Sequence, residues 1–245
     1  MVFKKKAAVK KVATKKAAVK KVKKVAAKKA IAKKAATNKT LKTHIFFVLD
    51  KSGSMDSIRA ETIEHFNEQL EQIQKDSNGM ETKVSLTTFD HSVDFQYFAQ
   101  DLTKLKPLTL RTYLPRGGTA MYDAVGFTID RAEKEIKDIA KEDVAILMVI
   151  LSDGQENSST KYNRKDIAER IQRLQDTKRW TFAYLGANQD LAKIQQDLNI
   201  AAGNVQAFVS TSQGMQQATS LSVNSTSKYI KTRSLGITQS SNYYK

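Results

Sequence analysis

Ile45-Phe46-Phe47-Val48-Leu49 is an unbroken apolar run that stops on Asp50, and Val144–Leu151 (VAILMVIL) runs in the same way into Ser152-Asp153-Gly154. Short apolar runs rich in β-branched and aromatic residues mark strands covered on both faces, as in the middle of a parallel sheet. Two such strands, each ending on an acid, constrain the chain more than any other feature. After Asp50 come hydroxyls at the second and fourth positions, in the order Asp50-x-Ser52-x-Ser54. That loop gathers three hard oxygens on one turn, the ligand type that Mg²⁺ takes. A turn in which Asp50 or Ser52 caps the next helix uses the same residues, so this loop alone leaves both readings open.

The segments between and after these runs alternate strand and helix. Thr43–Asp50 is the first strand. A helix follows from Ser54, with Ile58, Ile63, Phe66, Leu70 and Ile73 on one stripe and His65 on the solvent side. Lys83–Phe89 and Val93–Phe98 alternate apolar and polar around Asp90-His91-Ser92, a hairpin with one strand at the sheet edge. Pro115-Arg116-Gly117-Gly118-Thr119-Ala120 is a second glycine-rich loop, and it opens a helix carrying Met121, Val125, Ile129, Ala132, Ile136 and Ile139. Beyond the strand at 144–151 come a helix at Ile167–Leu174, a strand at Trp180–Leu185, a short helix through Leu191 and Leu198, and a strand at Val205–Val209. A closing helix carries Met215, Ala218 and Leu221. Strands alternating with helices predict an α/β, doubly wound, mostly parallel central sheet with helices on both faces, in the Rossmann-like manner. The Ser/Thr/Asn-rich stretch 224–245 reads as a loose polar tail.

The formal charge of +16 divides sharply along the chain. Residues 1–42 hold 17 lysines, no arginine and no acid, while the remainder holds 24 basic against all 25 acidic side chains. A near-neutral body, 43–223, therefore follows a polycationic arm, 1–42. Lys5–Val12 and Lys15–Val22 are the same octapeptide, KKAAVKKV, with variants at 23–30 and 33–36. A Lys/Ala/Val segment of this kind has too little apolar surface for a packed core and is expected to be disordered. Pairs at Lys5/Lys6, Lys10/Lys11, Lys15/Lys16, Lys20/Lys21, Lys23/Lys24 and Lys28/Lys29 would surround any helix instead of occupying one side. Charge on all sides suits DNA or RNA bound through phosphates without sequence preference. A membrane-lying helix needs one wide apolar face, which this arm lacks. The composition resembles the Lys/Ala-rich tails of linker histones and bacterial histone-like proteins. A solvated solubility tail, or a contact with acidic proteins or anionic lipid, remains the alternative.

The chain contains no cysteine, which excludes disulfides, thiolate metal sites and thiol nucleophiles and suits a reducing, cytoplasmic or other intracellular setting; the basic arm adds the expectation of a nucleoid- or chromatin-associated protein. No apolar run reaches the length of a membrane span, so no integral membrane association is expected. Nucleotide-binding glycine loops and a nucleophile elbow are both missing, and no enzymatic activity is expected.

In an open α/β sheet, ligands bind beyond the carboxyl ends of the strands. Asp50-x-Ser52-x-Ser54, Thr119 after paired glycines and Asp153 after VAILMVIL all fall at that edge. On these three loops, over roughly 43–223, the body resembles the von Willebrand factor A domain and its metal-ion-dependent adhesion site. The resemblance implies that Ser52 and Ser54 bind Mg²⁺ through their hydroxyls, with Mn²⁺ or Ca²⁺ as alternatives, that Thr119 binds it directly or through water depending on conformational state, and that Asp50 and Asp153 act largely through water. It also implies that a position stays free for an Asp or Glu of a partner protein. Lys51, Arg116, Gln155 and Glu156 flank these loops in the sequence and are expected to form the rim that tunes partner choice. The functional expectation is a Mg²⁺-dependent adaptor tethered to nucleic acid by its arm. The alternatives are a histone-like compacting protein and a regulatory subunit of a chaperone-like ATPase.

Overall fold

The computed structural model describes residues 41–245 apart from positions 78 and 189. Lys5, Lys6, Lys10, Lys11, Lys15, Lys16, Lys20, Lys21, Lys23, Lys24, Lys28 and Lys29, and with them the expectation of a disordered arm, lie outside the described residues. The elements run β1 (Lys42–Asp50), a 3₁₀ turn (Gly53–Ile58), α1 (Arg59–Asp76), β2 (Glu81–Phe89), β3 (Val93–Asp101), α2 (Met121–Glu135) and β4 (Val144–Ser152). They continue with α3 (Arg164–Asp176), β5 (Trp180–Ala187), α4 (Leu191–Leu198), β6 (Val205–Phe208) and α5 (Ser212–Ser234).

The sheet has six strands in the order β3-β2-β1-β4-β5-β6, parallel throughout except for β3, which pairs antiparallel at one edge. β1 and β4 lie at its centre, and every residue of β4 is buried, which is why both read as continuous apolar runs instead of alternating ones. The pleat sends Ile45, Phe47 and Leu49 to one face, where they meet Phe66, Leu70 and Ile73 of α1 and Met215, Tyr229 and Ile230 of α5. Phe46 and Val48 go to the other face, against Val125 and Ile129 of α2 and Ile167 and Ile171 of α3. The helices start on local signals. Asn163 and Asp166 form a reciprocal capping box at α3, and Asp190 accepts from Ala192 and Lys193 at α4.

Three expectations are corrected. The stretch 224–245 is not a loose tail: α5 continues through Ser234, and Tyr243 and Tyr244 are buried. Within α5, Thr219 and Ser225 donate back to the carbonyls of Met215 and Leu221, at 2.9 and 2.8 Å. Gln69 of α1 donates to Ser222 and accepts from Thr226, both at 2.6 Å. A face of this kind is polar in composition yet packs as core. His65, expected in solvent, is 3% exposed, with Nδ1 3.0 Å from the Thr219 hydroxyl. The segment after Ser54 begins as 3₁₀ turns and becomes α-helical only at Arg59. Among the described residues no helix is long and apolar enough to cross a membrane.

Candidate metal centre

The parallel register aligns Leu49 of β1 with Leu151 of β4, so the Asp50 and Asp153 loops leave the sheet side by side. Asp50 is fully buried. Its Oδ1 accepts from the Ser52 amide at 2.7 Å, and its Oδ2 from the Ser152 hydroxyl at 2.5 Å. Tyr113, also fully buried, donates its hydroxyl to the Asp50 carbonyl. The Ser52 and Ser54 hydroxyls are 3.2 Å apart, and Ser54 donates to Asp153 Oδ1 at 2.5 Å. Asn157 holds the Thr119 amide through its Oδ1 at 2.8 Å, and the Asn157 amide returns a bond to the Thr119 carbonyl at 3.0 Å. Thr119 Oγ1 and Asp50 Oδ2 crowd the same glycine: a Cβ on Gly154 would stand 2.6 and 3.5 Å from them. Asp50, Ser52, Ser54, Thr119 and Asp153 are therefore brought together by three loops.

The loops are tied to one another through backbone bonds. Gly53 donates to the Gly117 carbonyl at 3.1 Å, and Arg116 to the Lys51 carbonyl at 2.8 Å. Gly117 has φ +70°, a left-handed conformation that costs glycine nothing. The fourth side of the site is a latch. Glu156 accepts from the amides of Ser158, Ser159 and Tyr122 at 2.8–2.9 Å. Asp123 accepts from those of Thr160, Lys161 and Tyr162 at 2.8–2.9 Å. Tyr122 and Asp123 lie in the first turn of α2, so the Asp153 loop is clamped to the helix that follows Thr119, and the Glu156 carboxylate sits favourably at the helix amino end.

Two of the expected rim residues have other roles. The Lys51 ammonium is buried 2.5 Å from Asp90 Oδ2, and the Glu156 carboxylate is used in the latch. Gln155 is exposed, and the Arg116 side chain is 70% exposed, with Nε 3.4 Å from Asp90. Tyr113, Ser152, Asn157, Asp123 and Asp90 complete the site and were not foreseen as parts of it. Ser152 and Asp90 each sit at a strand end, the one signal available for them.

Burial is the main cause pushing the Asp50 carboxyl up to about 6, against the bonds from Ser152 and Ser52, and burial also raises Asp153. Neither carboxylate has a lysine or arginine ion pair among the described residues. Two acids and three hydroxyls of hard-oxygen type, drawn together without a compensating cation, are a donor set that fits a small divalent ion. Among the described residues no three His, Cys, Asp or Glu side chains converge, so hydroxyls must make up such a set, as they do here.

The six-stranded, mostly parallel sheet with helices on both faces and the loops gathered at its carboxyl edge define an α/β, doubly wound protein. The model of the von Willebrand factor type A domain matches residues 44–225, and the chain belongs to that family. No curated protein matches it. Among solved structures it is similar to a proximal thread matrix protein of the mussel byssus with a zinc-occupied metal-ion-dependent adhesion site. That match has a TM-score of 0.50 and 15% identity, over 78% of this chain and 46% of the other. It is also similar to the von Willebrand domain of the type V pilus tip protein Mfa5 of Porphyromonas gingivalis, with a TM-score of 0.55 and 11% identity, over 82% and 97%. The pilus adhesin SpaC of Lactobacillus rhamnosus GG gives 0.56 and 11%, over 79% and 31%. The chain thus spans about half of the byssus protein and a third of SpaC, and at such identities the likeness is one of fold.

Proposed function

We propose that the chain is a non-enzymatic adaptor whose von Willebrand domain binds a partner carboxylate through Mg²⁺. The observation that supports it most is the convergence of Asp50, Ser52, Ser54, Thr119 and Asp153 at the carboxyl edge of the sheet. In this reading the Ser52, Ser54 and Thr119 hydroxyls would hold the ion, and Asp50 and Asp153 would balance its charge. When bound, Mg²⁺, or Mn²⁺ or Ca²⁺ in its place, supplies a cationic point with an exchangeable position that an Asp or Glu of a partner fills. The chain's own residues do the rest. The Ser152 bond and the Ser52 amide orient Asp50, Asn157 fixes Thr119, and the exposed Arg116 and Gln155 meet the partner.

The second half of the proposal concerns the arm. Its 17 lysines tether the domain to DNA or RNA through phosphates, placing the protein inside the cell on nucleic acid. Two experiments test the whole. The first is capture of partners from nuclease-treated lysate by the full chain, in Mg²⁺ and in EDTA, with Asp50→Ala as control. The adaptor reading expects a partner retained only with Mg²⁺ and intact Asp50, and a partner indifferent to both contradicts it. The second is duplex binding followed by fluorescence anisotropy. Deletion of 1–40, which spares Lys42 in β1, abolishes binding and its steep salt dependence if the arm is the tether. Unchanged binding by 41–245 refutes that half.

A further inference from the structure

Beside the metal centre stands a buried ion pair that its chemistry has not used. Lys51 is 6% exposed and Asp90 is fully buried. Lys51 Nζ lies 2.5 Å from Asp90 Oδ2 and 3.3 Å from Asp94 Oδ2. The other oxygen, Asp90 Oδ1, accepts from the amide and hydroxyl of Ser92, each at 2.8 Å. Burial by itself would raise the Asp90 carboxyl, but the bonds from Lys51 and Ser92 hold it well below the usual carboxylate range. It therefore stays ionised opposite the ammonium.

The pair also sits where the loops meet. The Lys51 amide donates to the Phe89 carbonyl at 2.7 Å, and the Lys51 carbonyl accepts from Arg116 at 2.8 Å. Asp90 in turn accepts from the Ala120 amide at 2.7 Å through its own carbonyl. The register explains the meeting: Asp50 of β1 pairs with Phe89 of β2, so each charge is the first residue beyond its strand.

A buried ion pair is weak evidence for stability, because taking two charges out of water costs about what their attraction returns. A different purpose follows from where Lys51 lies, between Asp50 and Ser52. A lysine on a flexible stem is the competitor nearest in sequence for the carboxylates of the oxygen cluster. We propose that Asp90 is a positioning residue that captures the Lys51 ammonium and so keeps the negative charge of that cluster available to a cation. This inference rests on the reading of Asp50, Ser52, Ser54, Thr119 and Asp153 as a metal centre.

The test is a Mn²⁺ titration of the full chain, read by the electron spin resonance of free Mn²⁺, alongside thermal unfolding in EDTA. Asp90→Asn weakens Mn²⁺ binding about tenfold, the size of effect expected when a charge is released beside a partly buried ionic site. Adding Lys51→Met to Asp90→Asn restores binding to within about threefold of wild type, since the released ammonium is gone. A purely structural role would lower the melting temperature of the single variant and leave the affinity of its folded fraction unchanged. Asp90→Asn binding within about twofold of wild type overturns the inference while leaving the metal centre intact. If wild type itself takes up no Mn²⁺, the metal reading and this inference fall together. Should Asp90→Asn not fold, Asp90→Ser, which also releases the ammonium, is read on the same limits: binding about tenfold weaker upholds the inference, and binding within about twofold of wild type overturns it.

Discussion

Replacing His65 with glutamine isolates one buried group whose titration should be visible in the stability of the whole domain. His65 lies between α1 and α5, and burial holds its imidazole down to about 4, from an ordinary value of 6.5. The Thr219 hydroxyl donates to the Met215 carbonyl at 2.9 Å, so it accepts from His65, whose Nδ1 carries the proton at 3.0 Å. In the unfolded chain the same ring protonates near 6.5. Between these two values the unfolded state binds the extra proton, so stability rises with pH across the window and falls as pH drops from 6.5 toward 4. The slope approaches about 1.4 kcal/mol per pH unit, and by pH 4.5 the loss is roughly 2 to 3 kcal/mol, a sizeable part of a domain's stability. Urea unfolding of wild type and His65→Gln from pH 7 to 4.5 measures it, the difference between the two curves cancelling the carboxylates that titrate in both. Convergence of the curves by roughly that amount at low pH is the expected result. Parallel curves would refute a buried, neutral His65.

Other perturbations follow from the same geometry. Gly154→Ala places a Cβ 2.6 Å from Thr119 Oγ1, so the variant keeps its circular dichroism but binds Mn²⁺ at least about tenfold more weakly in the same titration. Ending the chain at Val223 removes Tyr229, Ile230 and Tyr243 from the core, at about 1.5–3 kcal/mol each. The truncated protein should show no cooperative unfolding transition by circular dichroism, whereas a sharp transition would restore the loose-tail view. Tyr113→Phe deletes the buried donor to the Asp50 carbonyl and lowers stability by about 1–3 kcal/mol in urea, since that acceptor loses its partner.

The strand scaffold was legible in the sequence because burial on both faces leaves no choice but a continuous apolar run, as in Ile45–Leu49 and Val144–Leu151. The five candidate ligands were legible because each stands directly beyond a strand or at the mouth of a glycine-rich loop, positions that topology brings to one edge. What escaped depends on pairings that only the fold supplies. Lys51 looked like a rim residue because Asp90, its counter-ion, arrives from the next strand and meets it only through the β1–β2 register. Glu156 looked free because the amides it caps belong partly to α2. His65 sits among Glu64, Asn67 and Glu68, yet Thr62, His65 and Gln69 share one helical face, and all three are buried. The second half of α5 has the composition of a loop, and only its match to Gln69 and Tyr243 makes Ser222 and Thr226 core residues.

Three loops that form a centre for one divalent ion should take up that ion alone. Isothermal titration of the full chain with Mg²⁺, beside Asp50→Ala and Ser52→Ala, addresses it without any partner or nucleic acid. One Mg²⁺ per chain in the wild type and none in either variant, with all three folded by circular dichroism, is the result predicted here. Equal uptake by wild type and variants, or no uptake by wild type, would contradict it.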